Sequence, residues 1–126
     1  MTPFVLITTH RTTDGTADDV AALLARYERR LQEHEPGLLT FSAHVDDDAG
    51  RVALLHVFAD AQAADRHIRL VANLLDEARS LVQNLRIEVW GAPGPNLREA
   101  IDRNAAAGVT TVEHSRPIAG FTRVAR

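Results

Sequence analysis

The run Arg51 to Phe58 (RVALLHVF) is apolar at even and at odd positions alike. Side chains of a strand alternate between faces, so such a run is stable only where both faces are covered. The chain must therefore build a sheet with this run near its middle. Phe4 to Thr9 (FVLITT) is β-branched and apolar and reads as another strand. Leu39 to Val45 alternates, with Leu39, Phe41, Ala43 and Val45 opposite Thr40, Ser42 and His44. Leu85 to Trp90 alternates too, with Leu85, Ile87 and Val89 opposite Arg86, Glu88 and Trp90. Between the strands lie two helical patterns. Val20, Leu23, Leu24, Tyr27, Leu31 and His34 form the first stripe; Ala64, Ile68, Val71, Ala72, Leu75, Ala78 and Val82 form the second.

Punctuation agrees with this order. Asp14-Gly15 is a turn, and Thr16 with Asp19 reads as a capping box for the first helix. Pro36-Gly37 ends that helix, Asp46 to Gly50 is a solvated hairpin loop without calcium-site spacing, and Asp60 can cap the second helix. The order β-α-β-β-α-β predicts an α+β, ferredoxin-like antiparallel sheet of strand order 4-1-3-2, with both helices on one face. The other face is expected to carry Phe4, Leu6, Thr8, His10, Thr40, Ser42, His44, Val52, Leu54, His56, Phe58, Arg86, Glu88 and Trp90. Its apolar members make too large a patch to leave in water. A second copy is the simplest cover, because a two-fold interface needs one self-complementary surface.

Gly91 to Pro95 (GAPGP) divides residues 1–92 from a helix-strand extension, 93–126. Asn96 with Glu99 can cap a short helix ending at Ala107, Gly108 stops it, and Val109 to Glu113 reads as a fifth strand. That strand must find a sheet edge for its backbone groups. A partner subunit's edge is the expected one, with Phe121 as an anchor.

At 126 residues the chain is expected to form one core. It has no cysteine, which excludes disulfides, thiolate metal sites and a cysteine nucleophile and suits a cytoplasmic setting. The net charge of -3 gives no reason to bind nucleic acid or an anionic membrane. No segment is long and apolar enough to span a bilayer, and the start Met1-Thr2-Pro3 lacks the basic region of a signal peptide.

Histidines carry most of the possible chemistry. His10, His44 and His56 are expected on the open face, but His56 lies at the other end of the sheet from the first two. One subunit therefore cannot bring all three to one metal ion. Phe4, His56 and Trp90, with Glu88 nearer the middle, group toward one end; His10, His44 and Arg86 group toward the other. Either group could edge a pocket. Arg86 and Glu88 could form a structural or dimer-bridging ion pair. His34 reads as helix-end packing and Tyr27 as core with its hydroxyl at the rim.

Glu35-Pro36-Gly37, Phe41, the run Val52 to Asp60 and a following helix bearing His67 resemble the antibiotic biosynthesis monooxygenase family of dimeric α/β barrels. The resemblance spans roughly residues 3 to 91. It implies a homodimer and a cofactor-independent oxygenase that uses neither metal nor flavin. Its substrate would be a small aromatic, quinol or polyketide-type molecule, oxidised by O₂ after deprotonation. In that reading this chain's own side chains could supply His56 or His67 as base, Arg86 as anion partner and Phe58 and Trp90 as walls; His10, His44 and Glu88 complete the candidate substrate site. The family's usual Glu-Val-Trp is here His56-Val57-Phe58, and the second helix has no aromatic residue, which speaks against haem. A non-catalytic binding or dimerisation domain is the competing reading. An enzyme should enclose a cavity with convergent polar groups, whereas a structural dimer should fill that space.

Overall fold

The structure, a computed structural model, describes residues 2–13, 17–46 and 50–123. The expected turn at Asp14-Gly15, the cap residue Thr16 and the middle of the Asp46 to Gly50 loop lie outside the described residues. The elements are β1 (Phe4–Thr12), α1 (Ala17–His34), β2 (Leu38–Asp46), β3 (Arg51–Phe58), α2 (Ala61–Leu70), α3 (Ala72–Ala78), β4 (Val82–Trp90), α4 (Pro95–Ala106) and β5 (Thr110–His114). The sheet order is β2-β3-β1-β4-β5, so the expected 4-1-3-2 order holds and β5 adds to it. The first four strands pair antiparallel, and β5 runs parallel to β4. The sheet is open, with β2 and β5 as its edges. The fold is thus the expected α+β, ferredoxin-like one with a helix-strand extension.

The helices cover one face, and that face differs from the expected one on two strands. Phe4, Leu6, Val52, His56 and Phe58 are buried under the helices. Leu6 pairs with His56 and with Val89, and Phe41 pairs with His56, so these residues share the helix side. Thr8, His10 and Leu54 belong to it as well. The open face instead carries Val5, Ile7, Ala53, Leu55 and Val57, all half-buried. Thr40, Ser42, His44, Arg86, Glu88 and Trp90 are on the open face, as expected. The reason is physical. β1 and β3 are apolar on both sides, so neither strand announces its parity, whereas the alternating β2 and β4 do.

The second helix is broken at Val71, whose φ of -104° and ψ of 4° leave the helical region. Val71 N–H still donates to His67 O and Leu75 N–H to Val71 O, so both backbone groups of Val71 stay paired through the bend. Val82, placed on the helical stripe by spacing, opens β4. Opposite Thr9 and His10, β4 carries a bulge: Thr9 pairs with Arg86 and His10 with Asn84, leaving Leu85 as the extra residue. Asp60 caps α2 as expected, its Oδ1 accepting from Ala63 N–H at 2.8 Å. His34 does not pack: its side chain is 59% exposed beside Glu33.

The tail helix begins one residue before the expected cap, with Gly94 as N-cap and Pro95 in the first turn. Its cap comes from another helix. Asp65 Oδ1 accepts from Leu97 N–H at 2.9 Å and Asp65 Oδ2 from Asn96 Nδ2 at 3.0 Å. A Cβ on Gly94 would stand 2.7 Å from Asp65 Cγ, so only glycine admits this approach. Leu97 and Ile101 then join the buried cluster of Phe4, Leu6, Phe58 and Val89. The edge that β5 takes is that of its own β4, and Arg98 of α4 pairs with Glu113 of β5.

Candidate functional site

A cavity of about 370 Å³ lies between the helices and the sheet. Its walls are mainly apolar, with Leu6, Leu23, Val52, Leu54, Ile87 and Ile101 among them. One end is deep. There Tyr27, His56 and His67 are 5%, 1% and 2% exposed. The Tyr27 hydroxyl is 2.8 Å from His56 Nε2 and 3.0 Å from His67 Nε2. His56 Nδ1 donates to the Leu6 carbonyl at 3.3 Å, and His67 Nδ1 donates to the Glu35 carboxylate at 2.9 and 3.0 Å. Four side chains from α1, the turn after it, β3 and α2 thus form one buried chain, Glu35–His67–Tyr27–His56.

Local sequence places each member. Tyr27 lies on the buried stripe of α1 with Val20, Leu23 and Leu31. Glu35 follows the last turn, its N–H still donating to Leu31 O while its carbonyl accepts from Leu38 N–H. Gly37 lets α2 come close, since a Cβ there would meet Ala63 Cβ at 2.8 Å. His67, one helical turn beyond Ala63, then reaches Glu35.

The acceptors fix the protons. A carbonyl can only accept, so His56 carries its proton on Nδ1 and offers Nε2 as a lone pair. Tyr27 therefore donates to His56 and accepts from His67. All contacts are satisfied when the Glu35–His67 pair holds one proton more than a neutral imidazole beside a carboxylate. Burial, and next the charge of His67, push the His56 imidazole down to about 3. Burial, and next Glu35, raise the Tyr27 hydroxyl far above its ordinary range. On its outer side Glu35 borders a shallow surface pocket with Glu28, Gln32 and Pro36.

The other end of the cavity is polar and nearer solvent. His10 Nδ1 donates to Asn84 Oδ1 at 2.7 Å, and Thr8 Oγ1 donates to His10 Nε2 at 2.9 Å. Burial lowers the His10 imidazole. The β4 bulge is what turns Asn84 to this side.

Of the residues singled out from sequence, His56, His67 and His10 meet in this cavity, and Phe58 stacks behind His56 with ring planes 1° apart. Arg86 and Glu88 do not come near it. They pair at 2.9 Å on the open face, across the sheet. Trp90, also on the open face, stacks on His114. His44 is exposed there and contacts Ser42. Tyr27 and Glu35 are the two members that sequence reasoning passed over. Tyr27 looked like core, and Glu35 entered only as part of a motif. A tyrosine on an otherwise aliphatic stripe was the available signal.

Comparisons with known proteins bear on the family and the fold. The sequence profile described as "Antibiotic biosynthesis monooxygenase" matches residues 3–71, more than half of the chain. A search of curated sequences finds no match. Among solved structures, MupZ from Pseudomonas fluorescens is 20% identical with a TM-score of 0.72, over 99% of this chain and 100% of that one. SO0527 from Shewanella oneidensis is 20% identical with a TM-score of 0.62, over 71% of this chain and 89% of that one. SnoaB from Streptomyces nogalater, described as a cofactor-independent oxygenase, is 13% identical with a TM-score of 0.63, over 75% of this chain and 97% of that one. At these identities the structural likenesses establish the fold, while the profile match establishes the lineage: this chain belongs to the antibiotic biosynthesis monooxygenase family.

Proposed function

We propose that this chain is a cofactor-independent monooxygenase acting on a small, electron-rich aromatic or polyketide-type molecule held between sheet and helices. The observation that carries this reading is the buried Glu35–His67–Tyr27 chain ending in a mainly apolar cavity. A structural domain would fill that volume with side chains. When the chain holds one proton fewer, His67 Nε2 becomes an acceptor. A substrate O–H or activated C–H then gives its proton to Tyr27, which passes its own to His67, with Glu35 balancing the imidazolium. The carbanion adds to O₂ and a C–O bond forms. The loaded relay returns the proton as the hydroperoxide loses water, so that R₂CH₂ + O₂ gives R₂C=O + H₂O. Of the two candidate bases, this assigns the role to His67. His56 is too weak a base and instead holds the Tyr27 hydroxyl.

Oxygen uptake with 1-naphthol and substituted hydroquinones, in the presence of a chelator, tests the reading. Tyr27→Phe should lower turnover by about 10²-fold. Turnover that vanishes with chelator and returns with iron would overturn it, as would an unchanged rate in Tyr27→Phe.

The same reading includes a homodimer. Val5, Ile7, Leu55, Val57, Trp90 and Val112 leave the open face half-buried and apolar in a single chain. Arg86 with Glu88 would border that interface. Ile118 and Phe121 of the extension are 86% and 70% exposed, and in this reading they would meet the partner subunit. Among the described residues, no helix is long and apolar enough to cross a membrane. The absence of cysteine suits a cytoplasmic setting.

A further inference from the structure

We propose that the polar end of the cavity is a second ligand-binding subsite, in which Asn84 and Asn104 hold an acceptor oxygen of an elongated ligand whose other end meets Tyr27. This rests on reading the cavity as the ligand site, and it adds the shape and chemistry of what enters.

Hydrogen-bond direction makes the argument. Asn104 Nδ2 donates to the Ala100 carbonyl at 2.8 Å, which can only accept. Asn104 Oδ1 therefore faces Asn84 Nδ2, at 3.0 Å, and Asn84 Oδ1 faces the His10 Nδ1–H. His10 Nε2 takes the Thr8 proton. Each amide nitrogen has two N–H groups and uses one in this chain. Asn84 and Asn104 thus keep one donor each, and both residues line the cavity. Their complement is an acceptor: a carbonyl, ether or phenolic oxygen.

The spacing follows from the ladder. On the sheet, Leu6 is level with His56, Thr8 with Leu54 and His10 with Val52. Thr8 and His10 are two and four residues along β1 from the Tyr27–His56 level, so the far end lies about 7–13 Å away. Leu54, Ile87 and Ile101 line the cavity between them. A fitting ligand is apolar in the middle and oxygenated at both ends. Both holders, Asn84 on the β4 bulge and Asn104 on α4, lie beyond residues 3–71, which the family profile matches.

Two biphenyls test this without turnover, in anaerobic buffer by calorimetric titration. In 4,4′-dihydroxybiphenyl the oxygens stand about 10 Å apart, the length of three strand residues; 4-hydroxybiphenyl lacks one of them. The wild type should bind the dihydroxy compound about tenfold more tightly. Asn104→Leu and Asn84→Leu, each checked by its melting curve, should abolish that preference and leave the monophenol's affinity within about twofold. Equal affinity of the two compounds for the wild type sinks the subsite, as does a preference that survives in both variants. If neither compound binds the wild type, the cavity reading fails with it. If both compounds bind with equal affinity, the cavity reading stands and only the far subsite fails.

Discussion

At the scale of single residues, the unusual member is His56. It is buried neutral, with its imidazole held near 3 against an unfolded value of 6.5. Between these values the unfolded chain binds a proton that the native chain refuses. Stability must therefore fall as pH drops from about 6.5 toward 3, by up to about 1.4 kcal/mol per unit for one such group. The stabilisation is fully present above the unfolded value. His56→Gln keeps a donor and an acceptor but does not titrate. Urea unfolding between pH 7 and 4 should show a shallower loss for His56→Gln than for the wild type, and His10, shifted the same way, should account for part of what remains. Parallel curves would mean that His56 protonates in the native state.

At the scale of elements, the decisive contact is between α2 and α4. α4 has no cap of its own; Gly94 brings no side chain, and the cap is the Asp65 carboxylate of α2. α4 is also the cavity wall that carries Leu97, Ile101 and Asn104. Asp65→Ala should cost about 1–2 kcal/mol of stability, as lost caps do. The loss should be local, so hydrogen exchange should speed up in 95–106 more than in α1. Asp65→Asn, which can still accept from Leu97 N–H, should recover most of the protection. Uniform acceleration across the chain would show that the cap acts on global stability only.

At the scale of the whole molecule, face assignment separates folding from assembly. Leu55 lies half-buried on the open face, whereas Leu54 lines the cavity. Leu55→Glu would bury an unpaired charge in the proposed dimer interface and should yield a folded monomer by light scattering. Leu54→Glu should instead lower the melting temperature, because its charge enters the apolar cavity. A Leu55→Glu protein that stays dimeric at micromolar concentration would remove the open face as the interface.

The sequence by itself determined the order of elements, the four-strand topology and the faces of β2 and β4. Those follow from local periodicity, from turn residues such as Pro36-Gly37 and from a handedness rule that leaves few alternatives. It also marked His56 and His67 as candidates. Only the tertiary structure decided the faces of β1 and β3, because a strand apolar on both sides carries no parity signal. Only the tertiary structure brought Tyr27 between two histidines that lie 29 and 40 residues away in sequence. A hydroxyl on a core stripe looks the same in sequence whether it ends in water or in a relay. Likewise the bulge that aims Asn84 into the cavity, and the Asp65 cap on α4, depend on which elements become neighbours. Spacing along the chain records each segment's own period, while the site is made by contacts between segments whose relative position no local pattern encodes.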